Sequence, residues 1–404
     1  MPIAQHEVVI VGGGLVGASL AIALDRVGVD VAMVEATPAG ALPAVFDQRN
    51  LSFAEATLNA LQALGVMQRL RTPTGPIRRI HVSRDGDFGR VVLDAADYGR
   101  DVFGRVVVAR DFGEALETRL GELAQLTRYR PARCTGIEAA DDGVRIVRID
   151  DGTGERRIAA RLLVAADGAR SGIRTALGID AAETGFDQAL FVARVRSERA
   201  PDGTAYERFG EHGPTALLPR GDGHFGVVHG VPRAQADAVA ALGDEAWLAR
   251  VQQAFGWRVG RFLDTGPRSA HPALRVVAQR TTTTRAALVG NAAQTVHPVG
   301  AQGFNLGLRD ALTLAELVEA GRGDPGSDAL LAEYARRRAD DRARTLAFSD
   351  GLARLTANPA PLLRPLRSLG LVALDRMPAL QAWLVGGALG YRGDVPALCR
   401  EATT

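Results

Sequence analysis

Gly12, Gly14 and Gly17 stand in the spacing GxGxxG, directly after the apolar run Val8-Val9-Ile10-Val11 and directly before a helical stretch from Ala18 to Val27. Glycines in such a turn let the backbone approach a pyrophosphate, and the helix N-terminus behind them adds amide donors and the positive end of a dipole. Glu35 closes the next apolar run, Val31 to Glu35, eighteen residues beyond Gly17, where a carboxylate accepts from ribose hydroxyls. A glycine-rich turn of any α/β protein would carry the same spacing, but the flanking strands and Glu35 together favour a bound dinucleotide.

Two later segments carry chemistry of the same kind. Asp167-Gly168-Ala169-Arg170-Ser171-Gly172-Ile173-Arg174 follows the apolar run Leu162 to Ala165, and alone it reads as a turn. Further on, Ala287-Leu288-Val289-Gly290-Asn291 ends a strand, a loop runs through His297-Pro298-Val299-Gly300-Ala301-Gln302, and a helix opens near Gly303-Phe304-Asn305. The amide-rich start of that helix suits an anionic ring such as a reduced flavin, whose charge lies around N1 and the C2 carbonyl. Loop glycines let backbone pass close to a flat cofactor.

The elements that must position these residues are legible from hydrophobic periodicity. The opening is a βαβ unit, and further strands are predicted at 106–108, 144–149, 162–166 and 286–289, with a helix over 110–123. Between about 185 and 275 short alternating runs such as 190–195 and 224–231 predict an antiparallel sheet. After Gly303 the chain is helical, with interruptions at Pro325, Pro359, Pro361, Pro365 and Pro378, and it shows no internal repeat. The resulting expectation is an α/β chain, an α+β arrangement of two domains.

Composition narrows the function. With 404 residues, 48 basic against 46 acidic groups and a net charge of +2, the chain lacks the clustered basic excess of a nucleic-acid binder. Every basic residue is arginine, and nothing functional follows from that. Cys134 and Cys399 are far apart, and His224, His229 and His271 are scattered without ligand spacing, so neither a disulfide framework nor a metal site is expected. The strand pattern begins almost at once, without the basic and small-residue features of a signal peptide, and no apolar run reaches 18 residues. A reducing, cytoplasmic setting is expected, with room for contact on the inner face of the cytoplasmic membrane.

The three segments, in this order and at these separations, resemble the aromatic-ring hydroxylase family of flavoprotein monooxygenases, and the resemblance covers most of the chain. Asp167, Gly168, Ser171 and Arg174 fill the family's DGxxSxxR motif. Asn291 stands where most of the family has aspartate. With Gln294 and the run Gln302-Gly303-Phe304-Asn305-Leu306-Gly307-Leu308-Arg309-Asp310, it makes the chain similar to the ubiquinone-biosynthesis branch, the 2-polyprenyl-6-methoxyphenol hydroxylases. Val299-Gly300-Ala301-Gln302 departs from the more usual Ala-Gly-Gln.

The resemblance implies a glutathione-reductase-like FAD-binding domain (1–75, 100–182 and 276–345), an antiparallel-sheet substrate domain (76–99 and 183–275) and a helical C-terminal region (346–404). It implies FAD held by Gly12, Gly14, Gly17, Glu35, Asp167, Gly168, Arg174, Gly290, Asn291, Gly300, Gly303, Phe304 and Asn305. Arg49 and Arg110 would reach the cofactor, and Cys134 would lie on the strand that faces the adenine. The implied reaction uses O2 and NAD(P)H or another donor, passes through a flavin C4a-hydroperoxide, and hydroxylates a polyprenyl methoxyphenol without a metal. His297, Pro298 and Gln302, on the flavin-face loop, are the catalytic candidates, although a histidine in a packed loop is commonly structural.

No separate NAD(P)H-binding unit is visible, and the sequence does not fix the oligomeric state. The run 362–376 alternates Leu362, Leu366, Leu369 and Val372 with Arg364, Arg367 and Arg376, which suits an amphipathic helix lying on a membrane or packed on the domain. Other ubiquinone-biosynthesis proteins are possible partners. Competing readings are hydroxylation of another phenol or ring position, and a scaffold subunit in which FAD only stabilises the fold.

Overall fold

In the computed structural model the described residues are 3–139, 143–211, 213–297, 300–321, 323–357 and 364–400. Pro298 and Val299 lie outside them, as do Leu362 and Leu363 at the start of the amphipathic run. The core of the first layer is a parallel sheet. Strand Ala4–Val11 lies between Glu155–Ala165 and Val31–Val34, with Ala286–Leu288 and Leu126–Tyr129 continuing outward on either side. The central strands are apolar on both faces because both are covered, one by helices and the other largely by the strand Arg145–Asp150 and the short helix Gly172–Ala176. Val8 and Ile10 pack with the helices Leu15–Arg26, Ala109–Leu120 and Gln302–Ala320, while Val9 and Val11 pack with Val147, Ile149 and Ile173.

A larger sheet stands beside it, formed around Ala181–Ser197, Thr204–Gly210, Gly213–Pro219, Phe225–Pro232 and Ser269–Ala278. Its pairings are antiparallel as expected, except that Thr204–Gly210 runs parallel to Arg79–Arg84. One side of this sheet is covered by the helix Asp244–Phe255, whose Trp247, Val251 and Phe255 pack on Phe191, Leu217 and Val227.

The strand expected at 106–108 forms, as Gly104–Val108, but it belongs to neither large sheet. It pairs with Asn50–Ala54 and Gly75–Ile77 in a third, three-stranded sheet. Hydrophobic alternation marks a strand without naming its neighbours, so this partnership was invisible. The C-terminal part is helical, in Asp328–Ala357, Arg364–Arg376 and Pro378–Ala388. Among the described residues no helix is long and apolar enough to cross a membrane, and no cluster of His, Cys, Asp or Glu could hold a metal ion.

Candidate active site

The three chemistry-bearing segments begin at the carboxyl ends of three adjacent parallel strands. Val11 is in register with Ala165, and Ala165 with Leu288, so the turns after Ala4–Val11, Glu155–Ala165 and Ala286–Leu288 open side by side. Ligands of open α/β sheets bind at this edge.

The first turn is built for close backbone approach. Gly12 has φ +108°, and a Cβ there would lie 2.5 Å from the Ala166 carbonyl oxygen, while one on Gly17 would lie 2.0 Å from the Gly12 oxygen. Only glycine permits this contact. The helix Leu15–Arg26 starts at Gly14 with no side-chain cap and no acid in its first turn, which leaves its amides for an anion. Buried Glu35 accepts from Gly13 N at 2.8 Å and from Thr37 N at 2.7 Å. Its carboxylate therefore braces the glycine turn, with lone pairs left for a ribose hydroxyl.

At the second turn Asp167 Oδ2 accepts from Ile173 N at 3.1 Å, whereas Oδ1 is buried with no hydrogen-bond partner. A buried carboxylate oxygen without a donor is costly, and it fits a hydroxyl brought by a ligand. Gly168 follows in a left-handed turn at φ +88°. Arg174 differs from a cofactor ligand: it is buried, and its guanidinium donates to the carbonyls of Ala292 at 3.0 Å and Ala169 at 3.1 Å. It clamps the second turn to the third. Cys134, beside Asp167, has its thiol pushed up by burial, with the Asp167 charge adding to the shift, and so stays protonated at neutral pH.

The third segment is held from below. Asp310 Oδ2 accepts from Gly290 N at 3.2 Å and from Gln294 Nε2 at 2.6 Å, and Oδ1 accepts from Arg338 Nε at 2.8 Å. Arg338 and Arg309 share Asp341, and Arg342 donates to Gln294 Oε1 at 2.9 Å. Burial opposes the Asp341 charge, but Arg309 and Arg338 hold its carboxyl below the usual range. Sequence reasoning missed this buried network, because it pairs segments 16 to 48 positions apart across different elements. Gly290 and Gly307 meet: a Cβ on Gly307 would lie 2.9 Å from the Gly290 Cα and 2.8 Å from Val16 Cγ2. The helices Leu15–Arg26 and Gln302–Ala320 thus converge with their N-terminal ends close together.

Gln302–Ala320 also begins without a side-chain cap, at Ala301 with φ 51°. Asn305 is not free to hold a cofactor through its side chain. Oδ1 accepts from Ala54 N at 3.0 Å and Thr57 Oγ1 at 2.7 Å, and Nδ2 donates to the Ser52 and Ala301 carbonyls at 3.0 Å each, which exhausts its bonding positions. Phe304 packs on Phe53 and Phe112 with ring centroids at 5.2 and 5.3 Å, a core position. What these two residues can offer a ring is the backbone of the helix start. Gly300 lies against Phe348, Gly303 near Val296, and Asn291 is exposed at the rim.

His297 is 2% exposed, its ring stands edge-on to Phe186 at 4.6 Å, and its carbonyl accepts from Ser349. Burial pushes its pKa down to about 4, so it is neutral at physiological pH and weak as a base. Gln302 Nε2 donates to the Gly300 carbonyl at 3.0 Å and shapes the loop.

Arg49 folds back on Asp47, with Nε 2.8 Å from Oδ2, and Arg110 is exposed beside Glu114. Backbone bonds from Ala109 N to Arg49 O and from Arg110 N to Asp47 O join their segments. Arg110, Gln48, Phe46, Leu42 and Arg71 line an open cleft of about 820 Å³. Gly14 approaches Val45 at the near end of this segment. Uncapped amides, a donor-seeking carboxylate oxygen and this cleft fit an extended dinucleotide bearing phosphates and a polyol.

The comparisons agree with this geometry. A family model described as an FAD binding domain matches residues 5–349. The chain is 36% identical over 388 residues to the ubiquinone hydroxylase UbiL of Rhodospirillum rubrum, covering 95% of this chain and 89% of that protein. It is 30% identical over 394 residues to the 3-demethoxyubiquinol 3-hydroxylase of Escherichia coli, covering 95% and 98%. The crystal structure of p-nitrophenol 4-monooxygenase PnpA from Pseudomonas putida DLL-E4 superposes with a TM-score of 0.79 at 18% identity, covering 97% of this chain and all of that one, and so shares the fold. Three turns converging at one sheet edge and the relatives that span nearly the whole chain lead to one assignment: the chain belongs to the FAD-binding family of flavoprotein aromatic-ring hydroxylases.

Proposed function

We propose that this flavoprotein hydroxylates the aromatic ring of a polyprenyl phenol on the route to ubiquinone, with a methoxylated phenol as its substrate. The observation that carries this reading is its 36% identity to a ubiquinone hydroxylase across almost the full length of both chains. When bound, FAD supplies the oxygen activation that no side chain can. The chain's own residues then bind the pyrophosphate at Gly12–Gly17, accept from a polyol hydroxyl at Asp167 Oδ1, and turn the amides at the start of Gln302–Ala320 toward the ring. The sheet beside that edge shields the reaction from water.

A polyprenyl tail favours work at a lipid surface, since each buried CH2 contributes about 0.8 kcal/mol. Helix Arg364–Arg376 is docked by one side only. Arg367 pairs with Asp87 at 3.5 Å, Ser368 Oγ accepts from Phe88 N at 3.2 Å, and Asp375 accepts from Val92 N at 2.9 Å. Leu366 and Leu369 are left 65% and 57% exposed, with Met377 and Leu380 also exposed nearby in sequence and Phe88, whose amide donates to Ser368, exposed as well. This apolar side supports peripheral contact with the membrane. A Leu366→Asp/Leu369→Asp variant is expected to lose binding to anionic liposomes in co-sedimentation, and equal binding by variant and wild type would remove the membrane from the reading.

The pathway is tested in cells lacking the protein, with a complemented strain as control. Loss of quinone with accumulation of an under-hydroxylated polyprenyl phenol, identified by mass spectrometry, is expected and also gives the ring position. Unchanged quinone would direct attention to soluble phenols. A scaffold role predicts that an FAD-depleted variant restores quinone as well as the holoprotein.

A further inference from the structure

Strand Thr204–Gly210 presents alternate residues to opposite sides of the large sheet. Tyr206 stacks edge-on against Phe255 at 5.5 Å, and Arg208 donates to the Ala254 carbonyl, so both face the covering helix Asp244–Phe255. Glu207 between them faces the other way. Its cross-strand neighbours are Ala216 and Val82. Two residues along, Ala205 packs in an apolar cluster with Ile77, Val91, Leu93 and Val385.

This inner side adjoins the ring end of the cofactor site. Leu218, two residues from Ala216, pairs with Gly226, and a Cβ on Gly226 would collide with the Asn50 side chain. Asn50 begins the strand Asn50–Ala54, which Asn305 ties to the start of Gln302–Ala320. Helix Asp328–Ala357 closes over the same strands, Thr204–Gly210 and Gly213–Pro219.

On this wall Glu207 is an anomaly. Among the described residues its carboxylate has no hydrogen-bond or ion-pair partner. The side chain is half-buried. Burial alone pushes its pKa up to about 7, with no cation counteracting. Arg84, diagonal to it on Arg79–Arg84, is buried; Arg367 and Asp375 of the C-terminal helix are engaged with Asp87 and Val92 N; and on Asp328–Ala357 Asp350 pairs with Arg275 and Arg344 with Asp340. An unpartnered carboxyl group on an apolar wall costs stability, and such groups cluster where proton chemistry is done.

We propose that Glu207 is the base that accepts the phenol proton of the ring substrate. The phenol O–H bond breaks, the proton passes to the Glu207 carboxylate, and the electron pair stays on the phenolate oxygen, which enriches the ortho and para carbons for oxygen transfer. This rests on the hydroxylase reading above, and the test separates the two.

The test uses FAD-loaded wild type, Glu207→Gln and Glu207→Asp with a singly prenylated 2-methoxyphenol as probe. For wild type, kcat/KM should rise through an acid limb near pH 7. For Glu207→Gln the limb should vanish, with kcat lower by roughly 100-fold and KM changed far less, and Glu207→Asp should recover part of the loss. A ring-fluorinated probe already ionised at pH 8.5 should shrink the difference between wild type and Glu207→Gln to a few-fold, which a merely structural role would not do. If wild type turns over the probe and Glu207→Gln keeps its rate and pH limb, the base is elsewhere. If wild type neither binds nor hydroxylates prenylated phenols, the substrate reading falls and Glu207's role with it.

Discussion

Asp167 and Asn305 look alike as buried polar side chains in motif positions, yet they answer to different forces. Asp167 Oδ1 has no protein donor, which leaves it open to a hydroxyl brought by a ligand. Asp167→Ala should weaken FAD binding by about 10- to 100-fold, the value of one or two hydrogen bonds to a charged group, as read by flavin fluorescence on titration of apoprotein. Asn305 has its four bonds to protein. Asn305→Ala should cost about 2–4 kcal/mol in urea unfolding of the apoprotein, and a loss of FAD affinity without loss of apoprotein stability would contradict this division. Residue types and spacing singled out both positions. They could not show which one keeps an open bond, because that depends on Ser52, Ala54 and Thr57, some 250 positions away in the chain.

At the scale of elements, the crossing of Leu15–Arg26 and Gln302–Ala320 depends on the absence of a side chain at Gly307. Gly307→Ala should separate the two helix starts, destabilise the fold by about 1–3 kcal/mol, and yield protein purified with less FAD, measured as the flavin-to-protein absorbance ratio. The βαβ opening, the turn after Ala165 and the long helix near residue 303 were legible because period and punctuation are local signals. The three-stranded sheet around Gly104–Val108 and the ion network under Gly290 were not, since both are pairings between distant segments. That network also has a measurable weight. Asp310→Ala would leave Arg338 buried with half its counter-charge, and about 3–5 kcal/mol of stability should go with it.

The whole molecule carries titrating groups that pull in opposite directions. His229 accepts from Arg250 Nε at Nε2 and bonds Thr215 through Nδ1, so it is held neutral, and burial pushes it down to about 4, as it does His297. Histidines with depressed values bind fewer protons folded than unfolded, so stability is lost as pH falls from about 6.5 toward 4. Each should account for about 1–2 kcal/mol between pH 6.5 and 5, and His229→Gln should flatten the urea midpoint over that range. Glu207 has the opposite sign: its raised value removes stability as pH rises from about 4.5 through 7. Glu207→Gln should therefore melt higher than wild type at pH 8 and nearly level with it at pH 5, by differential scanning calorimetry.

The docking of Arg364–Arg376 and Pro378–Ala388 onto residues 77–103 joins segments about 280 positions apart, and Val385 and Leu389 complete the apolar cluster of Ile77, Val91, Leu93 and Phe103. During synthesis that cluster has no cover until residues 364–389 have left the ribosome. A nascent chain with its parallel sheet already formed would still expose a sticky patch on the larger sheet. The helices Arg364–Arg376 and Pro378–Ala388 thus act late in biogenesis, and chains truncated before them would be clients of chaperones rather than slower enzymes.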